Sequence, residues 1–255
     1  MENLNIGIIG GCMTFQKDIK ISQLFHRRFS SLVNENHGIK TYFYLKYYDE
    51  FSQIPQLANE LFEKQDINIM IVQIRPEPFF KRAAFIIDNH KGKYIINPTL
   101  LNNKGLKSIE KILGTKDPVY INSKKDLSII KYYSYLPFLM FNYQIGHIFG
   151  LTIRSKNGIL GAINLVNEKC MERKIPLIVI GILNSLNEHS DKVAGKLNTD
   201  AKKAFIKSNL HYIDIYSTIN KDLKKYFSED KYHLSYEGHL LISDMLYDTF
   251  RTNLL

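Results

Sequence analysis

Three side chains near the two ends of this 255-residue chain have the types and spacing that can do chemistry. Asp230 and His233 lie three apart in EDKYHLSYEGHLLISDML. That spacing can put a carboxylate and an imidazole on one turn. The carboxylate then holds the ring through Nδ1–H, and Nε2 is left free to take a proton from a nucleophile. Cys12 is the third, in GIIGGCMTFQ, directly after the Gly10-Gly11 pair that ends an apolar run. Each has a plainer reading. The Asp and His can be incidental residues of a surface loop. Cys12 can be a small buried residue, since free cysteine is among the most buried types.

Positioning such groups requires a scaffold, and the hydrophobic pattern supplies one. Residues 5–9 read as a short buried strand. Apolar residues at Ile21, Leu24, Phe25, Phe29, Leu32 and Val33 have helical spacing, ended by Asn34 to Gly38. A β-rich run follows at Lys40–Tyr48, then a helix around Ile54–Lys64. The continuous apolar run 67–74 suits a buried parallel strand, stopped by Pro76 and Pro78. The stretch 79–125 is expected to hold short helices and loops, one helix at Leu106–Leu113. From Leu127 to Cys170 the pattern is mostly helical, with breaks expected near Pro137 and Asn157-Gly158. PLIVIGIL from Pro176 is another buried strand, Asp191–Asn209 a helix, HYIDIYS (211–217) a last strand, and Ser235–Leu246 the last helix, capped by Ser235. Strand–helix alternation predicts an α/β fold with a mostly parallel sheet covered on both faces. With no repeat, low-complexity tract or linker, residues 1–255 are expected to form a single domain. Cys12, Arg75, Asn184 and Asp214 all follow or end predicted strands. Active sites of such sheets lie at the carboxyl ends of the strands, so these residues could share one rim.

The string DKYHLSYEGHLLISDML resembles the last block of the SGNH (GDSL-type) hydrolase family: Asp-x-x-His, hydrophobe, Ser/Asn, then Gly and a hydrophobe before Ala/Ser. That family's first block is a strand followed by Gly-Asp-Ser-hydrophobe-Thr, and residues 10–14 here are Gly-Gly-Cys-Met-Thr. The resemblance is sharp at residues 5–14 and 211–246 and elsewhere architectural. It implies a three-layer α/β/α sandwich with a flavodoxin-like sheet. It also implies that Cys12 stands at the nucleophile position, with His233 as base and Asp230 as its carboxylate partner. The Gly-Gly turn would then lift the thiol above the sheet edge at a helix N-terminus, where the macrodipole favours thiolate.

Two blocks depart from the family pattern. The Gly-x-Asn-Asp expected after the third strand reads Gln73-Ile74-Arg75-Pro76-Glu77-Pro78, and no glycine of the second block follows YFYLKYY. Gly11, Met13 and Arg75 are therefore the expected oxyanion and substrate-binding group. Backbone N–H groups at Cys12 and Met13 would supply part of the hole. Arg75 would replace the missing side-chain donor or grip an anionic part of the substrate.

Composition narrows the partners. Lys plus Arg is 34 against 25 acidic residues, a net charge of +9, which favours anionic partners. The basic residues are scattered and form no nucleic-acid-binding motif, so nucleic acid is not expected. No apolar run reaches the length of a membrane span, and no signal peptide is visible, which makes the cytosol the default. No metal-ligand spacing or phosphate loop appears, and no cofactor is expected. Cys170, in a helical stretch with no motif, reads as structural, and His147 as a packed helix residue. His189 reads as a loop residue and His211 as a strand start. The expected activity is acyl transfer on an ester or thioester of a carbohydrate or lipid, with an acyl-CoA or carrier-bound donor suited to the basic surface. The alternative is a degenerate member of the same family that binds a glycan, lipid or protein without turnover.

Overall fold

The computed structural model describes residues 3–11, 13–16, 19–75, 85–88, 93–96, 119–120, 151–181, 188–205, 208, 210–219, 222–228 and 233–254. In chain order the elements are β1 (Asn3–Gly10), α1 (Phe25–His37), β2 (Lys40–Tyr47), α2 (Ile54–Lys64), β3 (Ile69–Gln73), β4 (Phe85–Asp88), β5 (Lys93–Ile96), β6 (Val119–Tyr120), α3 (Leu151–Glu172), β7 (Leu177–Ile180), α4 (Glu188–Phe205), β8 (His211–Ile213), α5 (Tyr216–Ile219), α6 (Leu223–Tyr226) and α7 (Tyr236–Asn253). They divide into two compact units, residues 1–76 with 157–255, and residues 77–156.

The first unit is built on a five-stranded, all-parallel sheet in the order β2-β1-β3-β7-β8. This is the flavodoxin-like α/β arrangement. Parallel strands need crossovers, and the helices that make them cover both faces, so inner strands read as unbroken apolar runs. All five residues of β3 and all four of β7 are buried. β2, at the sheet edge, is only half-buried. Side chains alternate along β1. Ile6 and Ile8 join a core with Phe25, Phe29 and Val33 of α1 and Ile242, Leu246 and Phe250 of α7. Gly7, on the opposite face, lies against Leu61 of α2. Lys169 of α3 bonds Asn59 of α2, and Arg173 stacks 5.0 Å over Phe62, which puts α3 beside α2.

Local signals account for most element ends. Pro55 sits in the first turn of α2, where its missing N–H costs nothing. Gly38 ends α1 in the left-handed conformation at φ 66°. Ser235 Oγ accepts the Gly238 N–H over 3.1 Å, the expected cap of α7. Gly238 is required there: a Cβ would strike the Tyr226 carbonyl.

Several boundaries differ from the sequence reading. Ile21–Gln23 forms only a single 3-10 turn, and Leu24 is extended before α1 begins at Phe25. No break occurs at Asn157-Gly158, because α3 runs through it. Glycine in a helix costs about 1 kcal/mol relative to alanine. The buried stripe Ile159, Ala162, Ile163, Val166 and Cys170 outweighs that cost. α7 continues to Asn253 because Leu246 and Phe250 extend its buried stripe. His189 lies in α4 rather than a loop, while His211 does open β8.

The second unit contains a three-stranded sheet, β4-β5-β6, with β4–β5 antiparallel and β5–β6 parallel. Strands stand at 85–88, 93–96 and 119–120, in place of the short helices and loops expected there; the rest of 79–125 lies outside the described residues. Runs as short as FIID and KYII carry too few residues for their period to separate strand from helix. The helix expected at 106–113 and the helical reading of 127–150 lie outside the described residues. No helix among the described residues is long and apolar enough to cross a membrane.

Candidate active site

β1 ends at Gly10 and the chain turns at once, with the Thr14 N–H donating to the Gly11 carbonyl over 3.0 Å. The end of β3 holds this turn. Gln73 Oε1 accepts from the Gly11 N–H at 3.3 Å and from Thr14 Oγ1 at 3.0 Å. Gln73 Nε2 reaches the Met13 sulfur at 3.3 Å. Gln73, at the end of β3, thus binds the turn that follows β1 at three points. Gly10 is needed because a Cβ would lie 3.0 Å from Gln73 Oε1 and nearer still to Thr14 Oγ1.

Gly11 is needed for a different reason. A Cβ there would lie 2.8 Å from Arg75 Cγ and nearer still to Cδ and Nε. Arg75 is only 3% exposed. Its guanidinium donates to the Tyr48 carbonyl and lies 4.6 Å over the Tyr47 ring and 5.5 Å over the Tyr48 ring. Tyr48, fully buried, donates its hydroxyl to the Gln73 carbonyl at 2.8 Å and accepts the Arg75 N–H at 2.9 Å. The ends of β1, β2 and β3 are therefore laced together around Gly11. In a sheet of this order the crevice between the first and third strands is the topological switch point, where ligands bind.

The terminal block meets this turn through two buried side chains. Gln16 Nε2 donates to the Leu234 carbonyl over 3.0 Å, and Gln16 Oε1 lies 3.1 Å from His239 Nε2. His239 Nδ1 accepts the Phe25 N–H at 3.2 Å. That bond requires an unprotonated Nδ1, so the neutral ring carries its proton on Nε2 and donates to Gln16. His233, half-buried, is the residue next to Leu234. Its carbonyl accepts from Ser228 N–H at 2.9 Å and Ser228 Oγ at 3.2 Å, beside a bridge between Phe227 and Leu234.

Gly11, Met13, Arg75 and the His233 segment thus lie on elements joined by direct hydrogen bonds. Cys12, Asp230 and Asn184 lie outside the described residues. Asp214 follows β8, where it takes hydrogen bonds from Lys202, Asn198 and Ser217. Burial opposes its ionisation, but these donors together hold its carboxyl below the usual range. Cys170 is buried in α3, and burial pushes its thiol up to about 12. Sequence reasoning did not single out Gln16, Tyr48 or His239. No local signal marks them, since each acts through a partner distant in the chain.

An open cavity of about 1080 Å³ lies at the other end of the sheet, bordered by Leu4, Ile69, Pro176 and His211 at the amino ends of the strands. At about 3.3 Å per residue, β1 separates it from Gly11 by roughly 20 Å.

An all-parallel sheet of this order, with a laced turn at its switch point, defines a flavodoxin-like α/β/α sandwich. Solved structures with this fold include GDSL-type lipases and acylhydrolases. The lipase Lip_vut3 from a goat rumen metagenome is similar at a TM-score of 0.60 and 16% identity, covering 99% of this chain and 100% of its own. A GDSL-like lipase from Bacteroides thetaiotaomicron matches at 0.53 and 10%, covering 98% of this chain and 88% of its own. A lipase/acylhydrolase from Enterococcus faecalis matches at 0.50 and 11%, covering 97% and 95%. No family model and no curated protein matches the sequence.

Proposed function

We propose that this chain is an SGNH-like acyl-transfer enzyme, an esterase, thioesterase or acyltransferase, built as one domain with residues 77–156 as an insertion. Cys12, His233 and Asp230 are its reacting triad. The observation that carries this reading is Gln16, which ties the segment following Cys12 to the carbonyl beside His233 across more than 200 residues of sequence. Its support from outside is the fold shared with lipases and acylhydrolases.

In the proposed reaction Cys12 Sγ attacks the acyl carbonyl carbon while His233 takes the thiol proton. Asp230 steadies the imidazolium through Nδ1–H. Collapse of the tetrahedral intermediate breaks the bond to the leaving alkoxide or thiolate, which receives the proton from His233. Water or an acceptor hydroxyl or amine then attacks the thioester, giving its proton to His233 and releasing Cys12. Backbone N–H groups of the turn, Met13's among them, stabilise the oxyanion. Gly11's N–H is directed to Gln73, so its part is to let Arg75 approach. Arg75 supports this turn and adds positive charge beneath it. The substrate is an acyl ester or thioester of a glycan or lipid, with an acyl-CoA or carrier-bound donor matching the basic surface.

Intact-mass spectrometry with p-nitrophenyl acetate and with an acyl thioester tests the nucleophile. A covalent acyl adduct is expected in the native chain and absent in Cys12→Ala. An adduct of equal yield in the variant sinks the assignment. Asp230→Asn is expected to slow turnover on the order of a thousandfold or more.

A further inference from the structure

Gln16 and His239 lie outside the reacting triad, yet both are buried, with 6% and 0% exposure. A buried primary amide costs stability unless its donors and acceptor are matched. Gln16 meets this with one bond to each side: its amide nitrogen to Leu234 O and its oxygen to His239 Nε2. The amide's orientation is then not free. The Phe25 N–H fixes the His239 tautomer, that tautomer fixes which end of Gln16 is oxygen, and the remaining nitrogen points at Leu234 O. The His239 ring is itself held flat against Phe25, with centroids 6.1 Å apart and planes 9° apart.

The relay therefore begins at an orphan N–H of the first turn of α1 and ends on the Leu234–Ser235 peptide, one peptide beyond the one that His233's own carbonyl forms. Gln16 is four residues after Cys12 and two after Thr14, whose hydroxyl Gln73 holds. A change at any member removes a bond that ties Leu234, the neighbour of His233, to the segment after Cys12. Displacements of about 1 Å can cost on the order of a hundredfold in a reaction that depends on alignment. His26, the neighbouring titratable ring, is held neutral at pH 7 by burial, aided by the charge of Arg27, its pKa down at about 4.

We infer that Gln16 and His239 are positioning residues that set the His233 loop against the Cys12 turn, through the chain Phe25 N–H to His239 to Gln16 to the Leu234 carbonyl. The inference rests on the triad reading, and its test separates the two.

The probe is iodoacetamide. Its rate of alkylation at Cys12 is measured against pH and located by peptide mapping. The chain's other cysteine, Cys170, is buried and its thiol raised, so it stays silent. An imidazole near Cys12 lowers the thiol pKa, so His233→Ala is expected to move the labelling midpoint up by about one pH unit or more. Gln16→Met keeps the volume and removes both bonds, and at least about half of that shift is expected. Two conservative variants at His239 sharpen the comparison. His239→Asn offers an acceptor where Nδ1 was and releases Gln16. His239→Gln offers a donor where Nε2 was and keeps Gln16 in place. A shifted profile in the asparagine variant with a native profile in the glutamine variant supports the proposal, because a merely structural role would not sort the pair this way. Native profiles in Gln16→Met and His239→Asn, beside a shifted His233→Ala, overturn the positioning role and leave the triad standing. An unshifted His233→Ala overturns the triad reading and the proposal with it. If Gln16→Met fails to fold, the His239 pair decides alone.

Discussion

Replacing Gly11 by alanine tests how the site's floor is built. Gly38 is the glycine with positive φ among the described residues, so Gly11 has no conformational need for glycine. Its requirement is the approach of Arg75, whose Cγ would lie 2.8 Å from a new Cβ. Relief to an ordinary carbon–carbon separation of about 3.5–4.0 Å moves that side chain by roughly 1 Å. Arg75 cannot give that distance freely, because its guanidinium is bound to the Tyr48 carbonyl and stacked on two tyrosines. Overpacking costs about 1–3 kcal/mol, and a hydrogen bond from a charged donor contributes about 1.5–3 kcal/mol. Gly11→Ala is expected to destabilise by about 2–3 kcal/mol. In an Arg75→Ala background the obstacle is gone. There the same change should cost under about 1 kcal/mol, or stabilise slightly through the unfolded chain. Urea unfolding of the four proteins of this cycle measures the coupling, expected at about 1.5 kcal/mol or more. A neutral Gly11→Ala, or effects additive within about 0.5 kcal/mol, would refute the bracing of Gly11 by Arg75.

Burial, with the charge of Arg27 adding to it, lowers the His26 pKa from 6.5 to about 4. The unfolded chain then binds a proton that the fold refuses. The stability His26 contributes is full above about pH 6.5 and falls as pH drops towards 4, by about 3 kcal/mol over the window. Denaturation midpoints between pH 7 and 4.5 should fall less steeply in His26→Leu, and equal slopes would refute this. Ser235→Ala removes the cap of α7 and the 2.6 Å bond to the Lys225 carbonyl; it should cost about 1 kcal/mol in urea unfolding, with Ser235→Thr recovering most of it. Arg75→Lys keeps charge but not the planar fork. Because Arg75 is buried against the turn, kcat should fall on the order of tenfold to a hundredfold with KM nearly unchanged. A raised KM at native kcat would make Arg75 a substrate clamp instead.

Much of this molecule is legible without coordinates. The apolar runs at β1, β3 and β7 declare inner strands of a parallel sheet, because burial on both faces removes the need for alternation. Ser235 and Gly38 mark helix ends through bonds and backbone angles that involve only neighbours. Cys170 reads as a packed residue for the same reason: its surroundings are those of its own helix stripe. These features are local, and local physics acts on residues the sequence already places side by side. Other features had partners far along the chain. α1 starts at Phe25 rather than Ile21, and its first-turn N–H finds its acceptor on His239, 214 residues later. Gly11 is glycine because of Arg75, and Gln16 matters because of Leu234 and His239. α3 ignores its glycines because a buried stripe holds it. A buried polar group must be matched wherever the fold brings a partner, and no period or spacing in the sequence encodes which one arrives. Only the tertiary structure decided that.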